Sequence, residues 1–90
     1  MQIVGLPILN EAIHRNPESG PMLRAFHALV AAAAWADAED LEATLPLAGQ
    51  DGPGHWRLVL NRPALVLSWS VNFAAGLVVI DRISFDVSTS

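Results

Sequence analysis

Apolar residues recur every three or four positions in the N-terminal part of the chain and alternate with polar ones in the C-terminal part. Met1 to Gly5, with β-branched Ile3 and Val4, reads as a brief first strand closed by Gly5 and Pro7. Leu6, Leu9 and Ile13 then predict a short helix over Pro7–His14, with Pro7 in its first turn. A second helix is expected to begin at Asn16 as cap, with Pro17 first and Glu18 near the positive end of the dipole. Gly20-Pro21 leaves a later start, at Pro21, open. Met22, Phe26, Leu29 and Ala33 form its apolar stripe, widened by Leu23 and Val30. Asp40 to Ala43 offers one further helical turn before Pro46, and turn chemistry makes Gly49–Gly54 an exposed loop.

Beyond that loop the period is two. Trp56–Asn61 is a candidate strand, followed by an Arg62-Pro63 turn. Leu65, Leu67, Trp69, Val71 and Phe73 alternate with Ser68, Ser70 and Asn72, which gives the clearest strand pattern in the chain. Ala74-Ala75-Gly76 reads as a second hairpin connection, and Leu77–Phe85 as the last strand, interrupted by Asp81-Arg82; Val87–Ser90 is a small polar tail. The expected architecture is α+β in one domain over residues 1–90: a short N-terminal strand, two helices, then a three-stranded antiparallel meander with the helices packed on one sheet face. Trp69 is expected to face those helices, and Trp35 and Trp56 to serve the core or an interface.

Composition narrows the chemistry. An apolar share of 52% suffices for one core, and either fills it or leaves apolar surface for a partner. With no cysteine, disulfides, thiolate metal sites and cysteine nucleophiles are excluded. The first residues show no basic stretch followed by an apolar core, so no signal peptide is expected. The runs Ala31–Trp35 and Leu77–Ile80 fall far short of the ~20 residues that cross a bilayer, so a cytoplasmic location is expected. All five cations are arginines, and against nine acidic residues the net charge is −4. That balance disfavours a generic nucleic-acid binder, whose affinity comes largely from phosphate neutralisation. It suits a basic protein partner, a polyanion mimic, or simply a soluble surface.

The element order carries a family resemblance on particular residues. Met1-Gln2-Ile3-Val4, Leu9, Glu11, Asn16-Pro17-Glu18, Leu23, Ala25-Phe26-His27, Ala34-Trp35, Asp40-Leu41, Ala43-Thr44 and Leu45-Pro46 follow one another as in HigB toxins. Leu58 to Asn61 is similar to that family's Val-Phe-Asn strand, and Val71-Asn72-Phe73 to its Ile-Asn-Tyr. The chain thus resembles the HigB branch of the RelE-like toxins over nearly its whole length. The resemblance implies a RelE-like fold, ribosome-dependent endoribonuclease activity on mRNA, and silencing by a helix-turn-helix antitoxin.

Such cleavage needs a base for a ribose 2′-hydroxyl, cations for the phosphate transition state and an acid for the leaving oxygen. The family's arginine position falls near Val66, its histidine near Asp86 and its terminal tyrosine on Thr89, so the chain departs from the family at each. The candidate site assembled from what is present is Arg57 and Arg82 as catalytic cations, His55 as proton-transfer group and Arg62 as an RNA contact. Against it, Arg57 and Arg62 suit solvated strand ends, Arg82 suits a pairing with Asp81 or another carboxylate, and His55 a flexible Gly-Pro-Gly loop. His14 and His27 lack a second ligand at metal spacing, so no metal is expected, and no cofactor motif is present. Three functions follow: a HigB-like nuclease toxin, a catalytically inactive relative that binds a protein as inhibitor or regulatory subunit, or an unrelated α+β interaction protein. The first two call for an antitoxin or other protein partner, and the first also for the ribosome and mRNA.

Overall fold

The computed structural model describes residues 1–61 and 64–85. Strand β1 (Gln2–Val4) leads into helix α1 (Leu6–Arg15); a 3₁₀ turn over Pro17–Ser19 precedes α2 (Gly20–Ala32) and α3 (Ala38–Thr44). Strands β2 (Gly49–Gln50), β3 (His55–Asn61), β4 (Ala64–Asn72) and β5 (Leu77–Phe85) complete a five-stranded mixed sheet ordered β1-β5-β4-β3-β2. The α+β class and the antiparallel β3-β4-β5 meander are as expected from the sequence. The helices number three rather than two, and the sheet gains a strand at each edge. β1 adds parallel to β5, and β2 antiparallel to β3. Gly49 and Gln50 are therefore paired residues, not loop, because they face Arg57 and Trp56 across the ladder.

Alternation along the meander divides the sheet into two faces. Leu65, Leu67, Trp69 and Val71 of β4 are buried with Trp56 and Leu58 of β3 and Val78 and Ile80 of β5. They share one core cluster with Leu9 and Ala12 of α1, Leu23, Phe26 and Val30 of α2, Trp35, and Leu41 of α3. Trp69 is fully buried as expected, its ring tilted 58° against that of Phe26 with centroids 5.2 Å apart. The opposite face, carrying His55, Arg57, Val59, Val66, Ser68 and Ser70, bears none of these helical side chains.

A bulge in β5 keeps this division intact. Ser68 opposes Arg82 while the next residue, Trp69, opposes Ile80, so Asp81 is the extra residue. Before it the core positions are Val78 and Ile80; after it they are Ile83 and Phe85, paired with Leu67 and Leu65. Strict alternation through Asp81 would instead send Arg82 and Ser84 into the core. The Asp81-Arg82 interruption noted in the sequence thus places both polar side chains on the open face.

Local chemistry fixes the corners. Gly5 has φ +110°, and a Cβ there would stand 2.9 Å from Cβ of Ile80, so the β1–α1 turn requires glycine. Asn16 does not cap the second helix with its side chain. Its carbonyl accepts the Ser19 amide (2.9 Å) and hydroxyl (2.6 Å), closing the 3₁₀ turn, and α2 begins at Gly20. Ala33, expected on the stripe, is already extended. Asp37 caps α3 by accepting the Asp40 amide at 3.0 Å, so this helix begins earlier than Asp40. Trp35 lies buried at the turn between α2 and α3, where its Nε1–H donates to Thr44 Oγ1 at 3.0 Å. No helix among the described residues is long and apolar enough to cross a membrane.

Candidate functional site on the open sheet face

Two rows of polar side chains cross the helix-free face. In the first, Arg57 of β3 and Arg82 of β5 flank Ser68 of β4, since Arg57 pairs with Ser68 and Ser68 with Arg82. Strand spacing puts the two arginine backbones roughly 10 Å apart with a hydroxyl between them. Both guanidinium groups belong to exposed residues. Among the described residues Arg82 makes no ion pair, so the pairing with Asp81 that the sequence suggested is not formed. Asp81 turns instead toward the second row.

That row is His55, Ser70 and Asp81. His55 is not in a loop: it is the first residue of β3, opposite Ser70. The Ser70 hydroxyl donates to Asp81 Oδ2 at 2.6 Å, within the short range of charge-assisted bonds, and lies 3.0 Å from His55 Nδ1. His55 Nδ1 and Asp81 Oδ2 are themselves 3.8 Å apart. A hydroxyl has one proton, and a carboxylate can only accept. With that proton on the Asp81 side, Ser70 must accept from His55, so the neutral ring carries its hydrogen on Nδ1 and leaves the Nε2 lone pair free. This order differs from a serine-nucleophile triad, in which the imidazole stands between hydroxyl and carboxylate and takes the serine proton. Here the serine is the bridge, and the group free to act as a base is the imidazole.

A solution measurement checks this assignment. Two-bond ¹H–¹⁵N spectra of the neutral ring are expected to show His55 mainly as the Nδ1–H tautomer. In Ser70→Ala, which removes the acceptor, the Nδ1–H share is expected to fall while the fold is kept. An unchanged tautomer ratio in that variant would contradict the assignment.

Of the sequence candidates, Arg57, Arg82 and His55 thus share one face in adjacent rows, whereas Arg62 lies outside the described residues. So do Asp86 and Thr89, where the HigB histidine and tyrosine would fall; Val66 is on β4 near the arginine row. His14 lies in the last turn of α1, and His27 with Arg24 borders a cavity of about 230 Å³ that Leu6, Leu9 and Ile13 of α1 also line. Neither histidine belongs to the two rows. Sequence reasoning missed Ser68, the bridging role of Ser70 and the part of Asp81 as its acceptor. Their signal was only that of polar positions on an alternating strand, which reads as an ordinary outer face.

Among the described residues no group of three or more histidine, aspartate or glutamate side chains is arranged to hold a metal ion. The face itself presents two guanidinium groups, a hydroxyl between them and an oriented imidazole beside them, a set suited to holding an oxyanion and moving a proton near it. No protein-family model matches the chain, and no curated protein matches it.

Proposed function

We propose that the chain is a HigB-like, RelE-fold toxin of a toxin–antitoxin pair, cleaving mRNA on the ribosome through its open sheet face. The observation that carries this reading is the placing of Arg57 and Arg82 on either side of Ser68, one row from a His55 ring held by Ser70 and Asp81. A scissile phosphate seated over Ser68 meets a guanidinium on each side, and both strengthen their hold as charge builds in the transition state. His55 Nε2 accepts the 2′-hydroxyl proton, and the 2′-oxygen forms its bond to phosphorus. The P–O5′ bond breaks with its electron pair going to the 5′-oxygen, which takes a proton from water. The products are a 2′,3′-cyclic phosphate and a 5′-hydroxyl end. Docking on the ribosome supplies affinity for RNA that a chain of net charge −4 lacks by itself.

A second reading rests on the same face. Val59, Val66 and Val79 lie among its polar groups, and the Asp81 carboxylate is directed onto it. Those features suit a catalytically inactive relative that keeps the fold to bind a protein partner. In both readings the partner, an antitoxin in the first, covers this face.

Purified protein incubated with ribosomes engaged on an mRNA separates the two. The first reading expects new 5′-hydroxyl ends, and His55→Ala is expected to slow their appearance roughly 10²- to 10⁴-fold, the usual contribution of a positioned base. Cleavage undiminished in His55→Ala would remove the imidazole from the mechanism. No cleavage by the unaltered protein would leave the binding module.

A further inference from the structure

Helix α2 carries apolar residues on two adjoining stripes, and the fold buries only one of them. Leu23, Phe26 and Val30 belong to the core. Met22, Ala25, Leu29 and Ala32, again three and four positions apart, do not: Met22 is half-buried and the other three are exposed. A helix that faces the core on one side is ordinarily polar beyond it, so a second apolar stripe left uncovered marks a contact surface.

This stripe forms one bank of a groove. Toward the C-terminal end of α2, Ala32 and Ala33 face Asp40, Ala43 and Thr44 of α3 across a cavity of about 570 Å³. Toward its N-terminal end, Met22, Ala25 and Phe26 face Leu45 and two leucines of β3, Leu58 and Leu60, across one of about 210 Å³. Leu29 lines both cavities, so they run together along the helix. From Met22 to Ala32 the helix rises about 15 Å, close to three turns.

The two banks select the occupant. Small side chains at Ala25 and Ala32 let a second helix approach α2 closely, with Met22 and Leu29 as the ridges it packs between. A strand would find little edge to pair with, because β2 already holds β3 at Trp56 and Arg57. Charge is confined to the other bank. Asp40 lines the groove from α3, and Glu39 stands one helical turn before Ala43, which lines it too. Between Arg24 and Arg57 the chain has five carboxylates, Asp37, Glu39, Asp40, Glu42 and Asp51, and neither lysine nor arginine. Among the described residues Glu39 and Asp40 make no ion pair. An apolar floor with acids along one bank is complementary to a helix that has one apolar face and cations beside it. We infer that this groove docks a basic amphipathic helix of a partner protein, about three turns long. Its apolar face lies against Met22, Leu29 and Leu60, and its lysines or arginines lie over Glu39 and Asp40. The groove is on the helix side of the sheet, so the partner binds with Arg57, Arg82 and His55 uncovered. The inference therefore stands or falls apart from the proposed nuclease.

The test uses three synthetic peptides of about fifteen residues, long enough to form a helix. The first has leucines at every third or fourth position and lysines along one flank. The second replaces those lysines with glutamates, and the third keeps the first one's composition but scrambles its order. Each is titrated into the full chain, methyl-labelled at methionine and leucine. The lysine peptide is expected to gain helix on binding and to shift the methyl signals of Met22, Leu29, Leu45 and Leu60, while the His55 ring signals stay in place. The other two are expected to bind about tenfold more weakly or worse. Leu29→Ala, a helix-compatible change at an exposed position, is expected to lower the affinity of the lysine peptide about tenfold, as loss of a central anchor does. Glu39→Gln and Asp40→Asn are expected to lower it about two- to fivefold for each charge removed. Amide spectra check that all three variants keep the fold. No shift in the groove with the lysine peptide, equal affinities for the three peptides, or an affinity unaltered in Leu29→Ala would overturn the inference. Shifts of the same methyl signals with protein concentration alone would also overturn it, and would assign the groove to a second copy of the chain.

Discussion

Trp69→Ala is expected to cost about 3–5 kcal/mol of folding stability, much of what a domain has in total. Trp69 is fully buried at the middle of β4, and its ring stacks obliquely on Phe26 of α2, so it joins the sheet to the main helix. Alanine there removes an entire indole from between two layers that are also held by Leu23, Val30, Val78 and Ile80, and those neighbours can close the space only in part. The indole has a further feature. Its Nε1–H is buried and finds no hydrogen-bond partner among the described residues, as is true of Trp56. An orphaned buried donor costs about 1–3 kcal/mol. Trp69→Phe, which keeps an aromatic ring against Phe26 and discards that donor, is therefore expected to lose far less stability than Trp69→Ala. Urea unfolding of the three proteins checks the order; equal losses for phenylalanine and alanine would show that the indole N–H is satisfied in solution.

Arg57→Ala and Arg82→Ala are each expected to slow RNA cleavage by about 10²-fold or more, and to leave the fold intact. Removing one preorganised donor from a developing oxyanion has a cost of that order elsewhere. Both arginines are exposed, and neither side chain forms an ion pair or hydrogen bond with the described residues, so little folding energy is tied to them. Arg→Lys at either position is expected to recover only part of the loss, because an ammonium cannot make the paired contacts that a planar guanidinium makes with phosphate. Rates with engaged ribosomes, set beside unfolding curves of the same variants, separate a lost contact from a lost fold.

How far the sequence foretold this arrangement depended on the range of the interaction. The alternation from Leu65 to Val71 correctly gave β4, its buried face and the burial of Trp69, because a strand's period is local. Pro7 near the start of α1 was equally local, whereas the expected stripe of Met22, Phe26, Leu29 and Ala33 was rotated: α2 buries Leu23, Phe26 and Val30 and leaves Leu29 exposed. The parallel pairing of β1 with β5 was not foreseen: Ile3 and Val78 are neighbours only after the whole chain has folded between them. The short strand β2 was hidden because two residues bounded by turn formers carry no period of their own. Asn16 looked like a helix cap, but the 3₁₀ turn closed by Ser19 took its carbonyl and postponed the helix.

The candidate site was legible in its residue types and obscure in its geometry. Arg57, Arg82 and His55 were marked because cations and imidazoles are scarce here, and the meander does bring them to one face. The cross-strand register that inserts Ser68 between the arginines, and Ser70 between His55 and Asp81, depends on the bulge at Asp81. A bulge reads in sequence only as a flaw in an apolar strand. Asp81 was consequently assigned to its neighbour Arg82, whereas the extra residue turns it toward Ser70. Arg62 lies outside the described residues.

The most direct test of the open face as an RNA-cutting site is inducible expression in a bacterial host, with growth and mRNA 5′ ends followed together, beside an Arg57→Ala/Arg82→Ala variant that is shown to fold. The account expects growth arrest with new 5′ ends on translated messages, and neither in the variant. Normal growth with intact messages, or arrest and cleavage that persist in the variant, would contradict it.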